Sequence, residues 1–186
     1  MVSIPTLWLP ILVSAIAVFL ASWIIHMFLP YHRSDYSKVP SEDEVQGALR
    51  KFNIAPGDYM IPHCTGPEAM KSPEFKEKFQ KGPVLMMTVM KSGSMNMGPS
   101  LAQWFLYTIL VGVFTAYIAG RSHSPGSPTM SVFRFAGCTA FLSYSVALWQ
   151  DSIWYQRKWS TTIKNTFDGL VYGLLTAAVF GWLWPK

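Results

Sequence analysis

The residues best suited to chemistry in this chain gather where apolar segments end. The stretch FLASWIIHMFLPYHRSDY, residues 19–36, carries His26 about one helical turn inside the end of a long apolar run, followed by His32, Arg33 and Asp35. A titratable side chain in a segment that favours lipid is costly, so it marks a functional site and calls for a partner. Two later segments offer partners at a similar depth: Gln150 and Asp151 at the end of a third apolar run, and Asn165, Asp168 and Tyr172 at the start of a fourth. Positions 165, 168 and 172 share one helix face. The expected pairing is His26 with Asp168 or Asp151. Imidazole changes charge near neutral pH, so such a cluster suits proton movement or the holding of a small polar ligand. The competing reading is structural, a His–Asp–Asn network that ties helix ends together. No nucleophile, base and orienting group recur at a specific spacing, so no catalytic residue is assigned.

Two other constellations carry less. The segment MMTVMKSGSMNMG holds Met86, Met87, Met90, Met95 and Met97, with His63 and Cys64 upstream. Thioethers and thiolates are soft ligands that suit copper(I), but methionine also fills irregular apolar gaps. His63-Cys64 without a second Cys/His pair is not a zinc signature. Haem would need axial histidines on facing helices, and only His26 lies inside an apolar run. Neither a metal nor a cofactor is therefore assigned. The two cysteines, Cys64 and Cys138, fall in a polar and an apolar segment respectively, which does not describe a disulfide framework.

The elements that must position these residues are set by composition. Of 186 residues, 51% are hydrophobic and 13% charged, against about 25% charged in a typical soluble domain. The net charge of +5 comes without a Lys/Arg-rich run, which disfavours nucleic acid as a partner. Four apolar runs, about 7–29, 101–119, 130–149 and 167–184, approach the ~20 residues that cross a bilayer. The first has no basic n-region and is longer than a signal-peptide core, so a retained helix is expected. The expected fold is all-α transmembrane: a four-helix membrane bundle with a small α+β cytoplasmic module between helices 1 and 2. Its divisions are 1–30, a module at 31–99, and helices 2–4 within 100–186.

Small residues recur at helical spacing, with Gly169, Gly173, Ala177 and Gly181 in the fourth run and Gly112, Ala116 and Gly120 in the second. Such stripes let helix backbones approach closely in lipid. The first and third loops hold twelve Lys and Arg residues and the opposite side three. Both termini are thus expected on the non-cytoplasmic side of a bacterial inner membrane. Trp8, Trp182 and Trp184 are assigned to the outer aromatic belt, and Trp104, Trp149, Trp154 and Trp159 to the inner one. In the module, Ser41 and Glu44 form a capping-box pattern before an amphipathic helix. A strand at 58–61, a helix opened by Ser72-Pro73 and a strand at 84–90 follow.

The pieces HMFLPYHRSDYSKVPSEDEV, KGPVLMMTV and KWSTTIKNTFDGLVYGLLTAAVFGWLWP together cover a little under a third of the chain. On these it resembles an uncharacterised family of small bacterial membrane proteins with four helices. The resemblance implies a four-helix membrane protein and no particular activity, so no catalytic residue carries over. The expected function is non-enzymatic: a multi-pass membrane protein that acts by association, with itself or as an accessory or structural subunit of a membrane complex. The alternative is a carrier or enzyme for a small molecule, a proton or a lipid, working through the polar site at the cytoplasmic end. The expected partners are the lipid bilayer and a protein, or a second copy of the chain.

Overall fold

The computed structural model describes residues 1–186, and the chain is mostly helical. Helix α1 (Trp8–Phe28) leads to α2 (Glu42–Arg50), β1 (Gly57–Ile61), α3 (Pro67–Lys71), α4 (Pro73–Lys81) and β2 (Leu85–Val89). Then come α5 (Gly98–Ser122), α6 (Thr129–Ser145), α7 (Trp149–Trp154) and α8 (Trp159–Trp182). Two compact units result, one of Met1–Tyr36 with Asn96–Lys186, the other Ser37–Met95. The divide therefore falls after residue 36, and residues 31–36 belong with the long helices rather than with the module.

Three stretches are long and apolar enough to cross a membrane: Pro5–Phe28, Gly98–Ser122 and Thr129–Trp154. The expectation was four. Helix α8 matches the others in length, with 24 residues, but its first turns read WSTTIKNTFD. Those polar residues dilute its apolar character. It also starts eight residues before the expected boundary at 167. The second helix outruns the expected 101–119 at both ends, and the third is interrupted by a 3-10 turn at Val146–Leu148 before α7 resumes it.

In the first unit, α1 packs against α5 and α8, and α6 packs against the same two helices. Small residues set the spacing. A Cβ on Gly173 would lie 3.1 Å from Phe141 Cβ and 3.2 Å from the Phe141 amide nitrogen, so α8 and α6 meet backbone to backbone there. Gly169 lies against Ser145 and Tyr144, Gly181 against Thr129, Gly112 against Ile11 and Gly120 against the Val2 carbonyl. Ala116 and Ala177 are fully buried. Where lipid tails are as apolar as leucine, this close contact supplies the dispersion attraction that holds helices together. Phe180, Val132 and Leu7 fill one core cluster, and Val18, Ile25, Val111, Tyr144 and Tyr172 fill a second.

The two ends of this unit differ. At one end the Val2 amide bonds the Gly120 carbonyl at 2.8 Å, and the Gly126 amide bonds the Pro185 carbonyl at 2.9 Å. Trp184 Nε1 donates to the Ser124 carbonyl at 3.0 Å. Both termini and the α5–α6 turn thus meet there, and Trp184, at 7% exposure, is a core residue and not a belt residue. Trp104 is likewise half-buried, its Nε1 donating to Ser22 Oγ at 2.8 Å. Trp8, Trp182, Trp149, Trp154 and Trp159 are exposed.

The second unit is a two-stranded antiparallel sheet, paired from Gly57↔Val89 to Ile61↔Leu85, with helices before and between its strands. Ser72 caps α4 by accepting from the Phe75 amide. The expected capping box at Ser41 is absent: Ser41 sits in the left-handed region, φ 48°, and its side chain makes no cap bond. No residue between 37 and 95 is fully buried. A unit of this size has little interior to offer its apolar side chains.

Candidate functional site

The site is built where α1 stops. Leu29 precedes Pro30, and the residue before proline is pushed out of helical space. Leu29 accordingly adopts φ −86° and ψ 130°, and α1 ends. The chain then winds through a 3-10 turn at Pro30–Ser34. That turn brings Tyr31, His32 and Asp35 against the first half of α8, where Thr161, Lys164 and Asp168 lie at helical spacings along one side.

Asp168 is the buried centre of the cluster, 3% exposed. Tyr31 donates its hydroxyl proton to Asp168 Oδ1, and His32 Nε2 lies 2.8 Å from Asp168 Oδ2. The other His32 nitrogen, Nδ1, lies 2.6 Å from Asp35 Oδ2. Lys164 Nζ donates to Asp35 Oδ1 at 2.8 Å, to Ser34 Oγ at 2.8 Å and to the Tyr31 carbonyl at 2.5 Å. Burial alone would raise the Asp35 pKa, but the hydrogen bonds from Lys164 and His32 outweigh it and hold the carboxyl below its usual range. Asp35 is therefore ionised at neutral pH. Burial pushes the Tyr31 hydroxyl well above its usual value, and its bond to Asp168 and the nearby carboxylates add to that. Tyr31 thus remains a donor.

His32 sits between two carboxyl groups, one ring nitrogen facing each. Two carboxyl groups, an imidazole, a phenol and an ammonium thus satisfy one another, as buried polar groups must. His26 completes the cluster from α1. Its ring stacks on His32, centroids 4.7 Å apart and planes 10° from parallel. Its Nδ1 lies 2.9 Å from the Ser22 carbonyl. A carbonyl only accepts, so Nδ1 donates there, and Nε2 makes no hydrogen bond within the chain. The residue as a whole is exposed. One donor atom from each of His26, His32 and Asp168 lies within 4.8 Å of the others.

The structure thus brings His26 and Asp168 into one cluster, with His32 as the direct partner of Asp168. Asp151 lies elsewhere, 3.5 Å from Arg157 Nη1. Asn165 is half-buried and contributes no side-chain bond to the cluster. Tyr172 lies one turn beyond Asp168 on α8, its ring 5.4 Å from that of Tyr144 and 6.0 Å from that of Trp104. Its hydroxyl is buried without a partner. Tyr31, His32, Asp35 and Lys164 were not singled out from the sequence as members of a site. The available signal was the pair His32 and Asp35 just after Leu29-Pro30, the point at which α1 has to end.

The methionine segment gathers no ligand set. Met86, Met90, Met95 and Met97 are exposed, Met86 and Met87 fall on opposite faces of β2, and Cys64 Sγ donates to the Gly66 carbonyl. No family model matches the chain, and neither a curated protein nor a solved structure matches it.

Proposed function

We propose that the chain is a multi-pass membrane protein whose working part is the cluster of His26, His32 and Asp168, a binding site for a small charged or polar ligand at the membrane boundary. The observation that carries this reading is the asymmetry of the cluster. Asp168 is buried and bonded by residues more than 130 positions away, while His26, on the same stack, stays exposed with a free nitrogen. A purely structural lock has no use for the open histidine. In this reading α8 is the fourth membrane helix, and its polar first turns lie in the headgroup layer. The loops around the cluster hold most of the Lys and Arg residues, so the cluster faces the cytoplasm of a bacterial cell and the termini face the other side.

Native mass spectrometry of the gently extracted protein tests the site. The expected result is a discrete bound mass that His26→Ala and Asp168→Asn remove from folded protein. Folded protein with no bound species, together with full cellular function of both variants, refutes the reading. Orientation is checked separately with a membrane-impermeant thiol reagent on a variant lacking Cys64 and Cys138. Ser124→Cys should react in intact cells, and Ser92→Cys only after permeabilisation.

A second reading, association with a partner protein, is supported by the unit Ser37–Met95. Its helix and strand side chains Val45, Leu49, Phe79 and Leu85 are all exposed, as is Phe52 just after α2. The small-residue stripes no longer support that reading, because Gly112, Gly120, Gly169, Gly173 and Gly181 are each spent on contacts within the chain. A discrete co-purifying protein that is lost when residues 37–95 are replaced by a flexible linker is the expected outcome for this second reading.

A further inference from the structure

We infer that His26, His32 and Asp168 bind a divalent first-row transition ion of the zinc class, through one imidazole nitrogen from each histidine and Asp168 Oδ2. This rests on the proposed ligand site and names the ligand.

Three observations converge. First, the donors are the right type. Two imidazoles and one carboxylate suit zinc, iron or nickel, and do not suit magnesium or calcium, which take oxygen ligands. Second, His32 Nε2 and Asp168 Oδ2 face each other at 2.8 Å, so two of the three donors already converge on one place. A metal ion would replace that direct contact and hold both atoms at once.

Third, each donor residue already has the outer partner that metal ligands have. A ligating histidine almost always gives its other N–H to a carboxylate or a backbone carbonyl. His32 Nδ1 faces Asp35 Oδ2 at 2.6 Å, and His26 Nδ1 faces the Ser22 carbonyl at 2.9 Å. This leaves Nε2 as the ligand atom on both rings. Tyr31 occupies Asp168 Oδ1, so Oδ2, which faces His32, is the ligand oxygen. Lys164 fixes Asp35 in turn. A structural ion-pair lock explains the bonds of His32, but not the fixed tautomer of His26.

The spread of the three donors, up to 4.8 Å, exceeds the roughly 3.4 Å between neighbours around a tetrahedral zinc with bonds of about 2.1 Å. Closing it needs a movement of up to about 1.4 Å. His26, the exposed member, is the one free to make it. Three protein ligands leave a fourth position for water or for a substrate, the arrangement of a reactive site and not of a sealed structural one.

The test uses the untagged full chain in micelles, stripped with a chelator and dialysed. Zinc chloride is titrated calorimetrically, and cobalt(II) is added in parallel for its visible absorption. The expected result is one zinc per chain and a cobalt spectrum of low coordination number. His26→Ala should weaken binding most clearly, because it leaves the His32–Asp168 pair and hence the fold intact. Asp35→Asn should weaken it roughly 10–100-fold, the usual effect of losing an outer partner. His63→Ala and His123→Ala should change nothing. Zinc binding that survives His26→Ala, or that disappears with His63→Ala, overturns the metal site. A non-metal mass that Asp168→Asn removes, with no zinc uptake, overturns the metal but leaves the ligand site standing. No bound species of either kind overturns both.

Discussion

The clearest quantitative consequence of the structure is coupling between His32 and Asp168. The side chains are 12% and 4% exposed and meet at 2.8 Å. Replacing His32 by alanine leaves the Asp168 carboxylate buried with only the Tyr31 hydroxyl beside it. Removing one partner of a buried pair costs about 3–5 kcal/mol where it leaves a charge uncompensated. Asp168→Asn alone keeps the volume and a hydrogen-bonding group, so it forfeits only the charge-assisted part, about 1.5–3 kcal/mol. In the His32→Ala background, the same change removes an unpaired charge and should be neutral or stabilising. A double-mutant cycle should therefore return a coupling energy of about 2 kcal/mol. That is well above the ~0.6 kcal/mol average for hydrogen-bonded pairs within membranes, and well above an exposed surface pair. The assay is reversible unfolding in mixed micelles with chelator present, so that metal does not contribute. If Asp168→Asn costs the same in both backgrounds, within about 0.5 kcal/mol, the pair is not the centre of the cluster and the account of the site fails.

Other changes probe neighbouring parts. Lys164→Met should cost about 1.5–3 kcal/mol, since three acceptors on the 30–35 segment lose a charged donor; an unchanged unfolding midpoint would show that Lys164 does not fix that turn. Gly173→Leu should destabilise by about 1–3 kcal/mol or more, because the added Cβ already lies 3.1 Å from Phe141 Cβ and the rest of the side chain has no room. Gly47→Ala, with nothing within 4 Å, should instead stabilise α2 by up to about 1 kcal/mol. Ser72→Ala should cost about 1 kcal/mol and speed hydrogen exchange at the Phe75 amide, whose cap it removes.

Much of the architecture is a local property, and it is legible in the sequence for that reason. Apolar runs of membrane length, the end of α1 at Leu29-Pro30 and the Ser72 cap each depend on a few neighbouring residues. Helix ends are less legible. The start of α8 at Trp159 and the break at Val146–Leu148 depend on what packs alongside, and hydropathy does not report that. Ser41 shows the limit of a local motif: the Ser-x-x-Glu pattern is present, yet the residue adopts φ 48° and makes no cap.

The site divides along the same line. Sequence by itself marked His26 and Asp168, because an ionisable group in an apolar segment carries a desolvation cost that only a partner can offset. It named His26 as the partner of Asp168 or Asp151, whereas the direct partner of Asp168 is His32 and Asp151 lies by Arg157. His32, Tyr31, Asp35 and Lys164 all lie in polar flanks, where charge is ordinary and carries no signal. Only the tertiary structure, by turning the chain after Pro30 onto the side of α8, brought residues 31–35 to residues 161–168. A buried carboxylate is satisfied by whichever donors reach it in space, and that reach is decided by how two helices pack, not by the spacing of residues along either one.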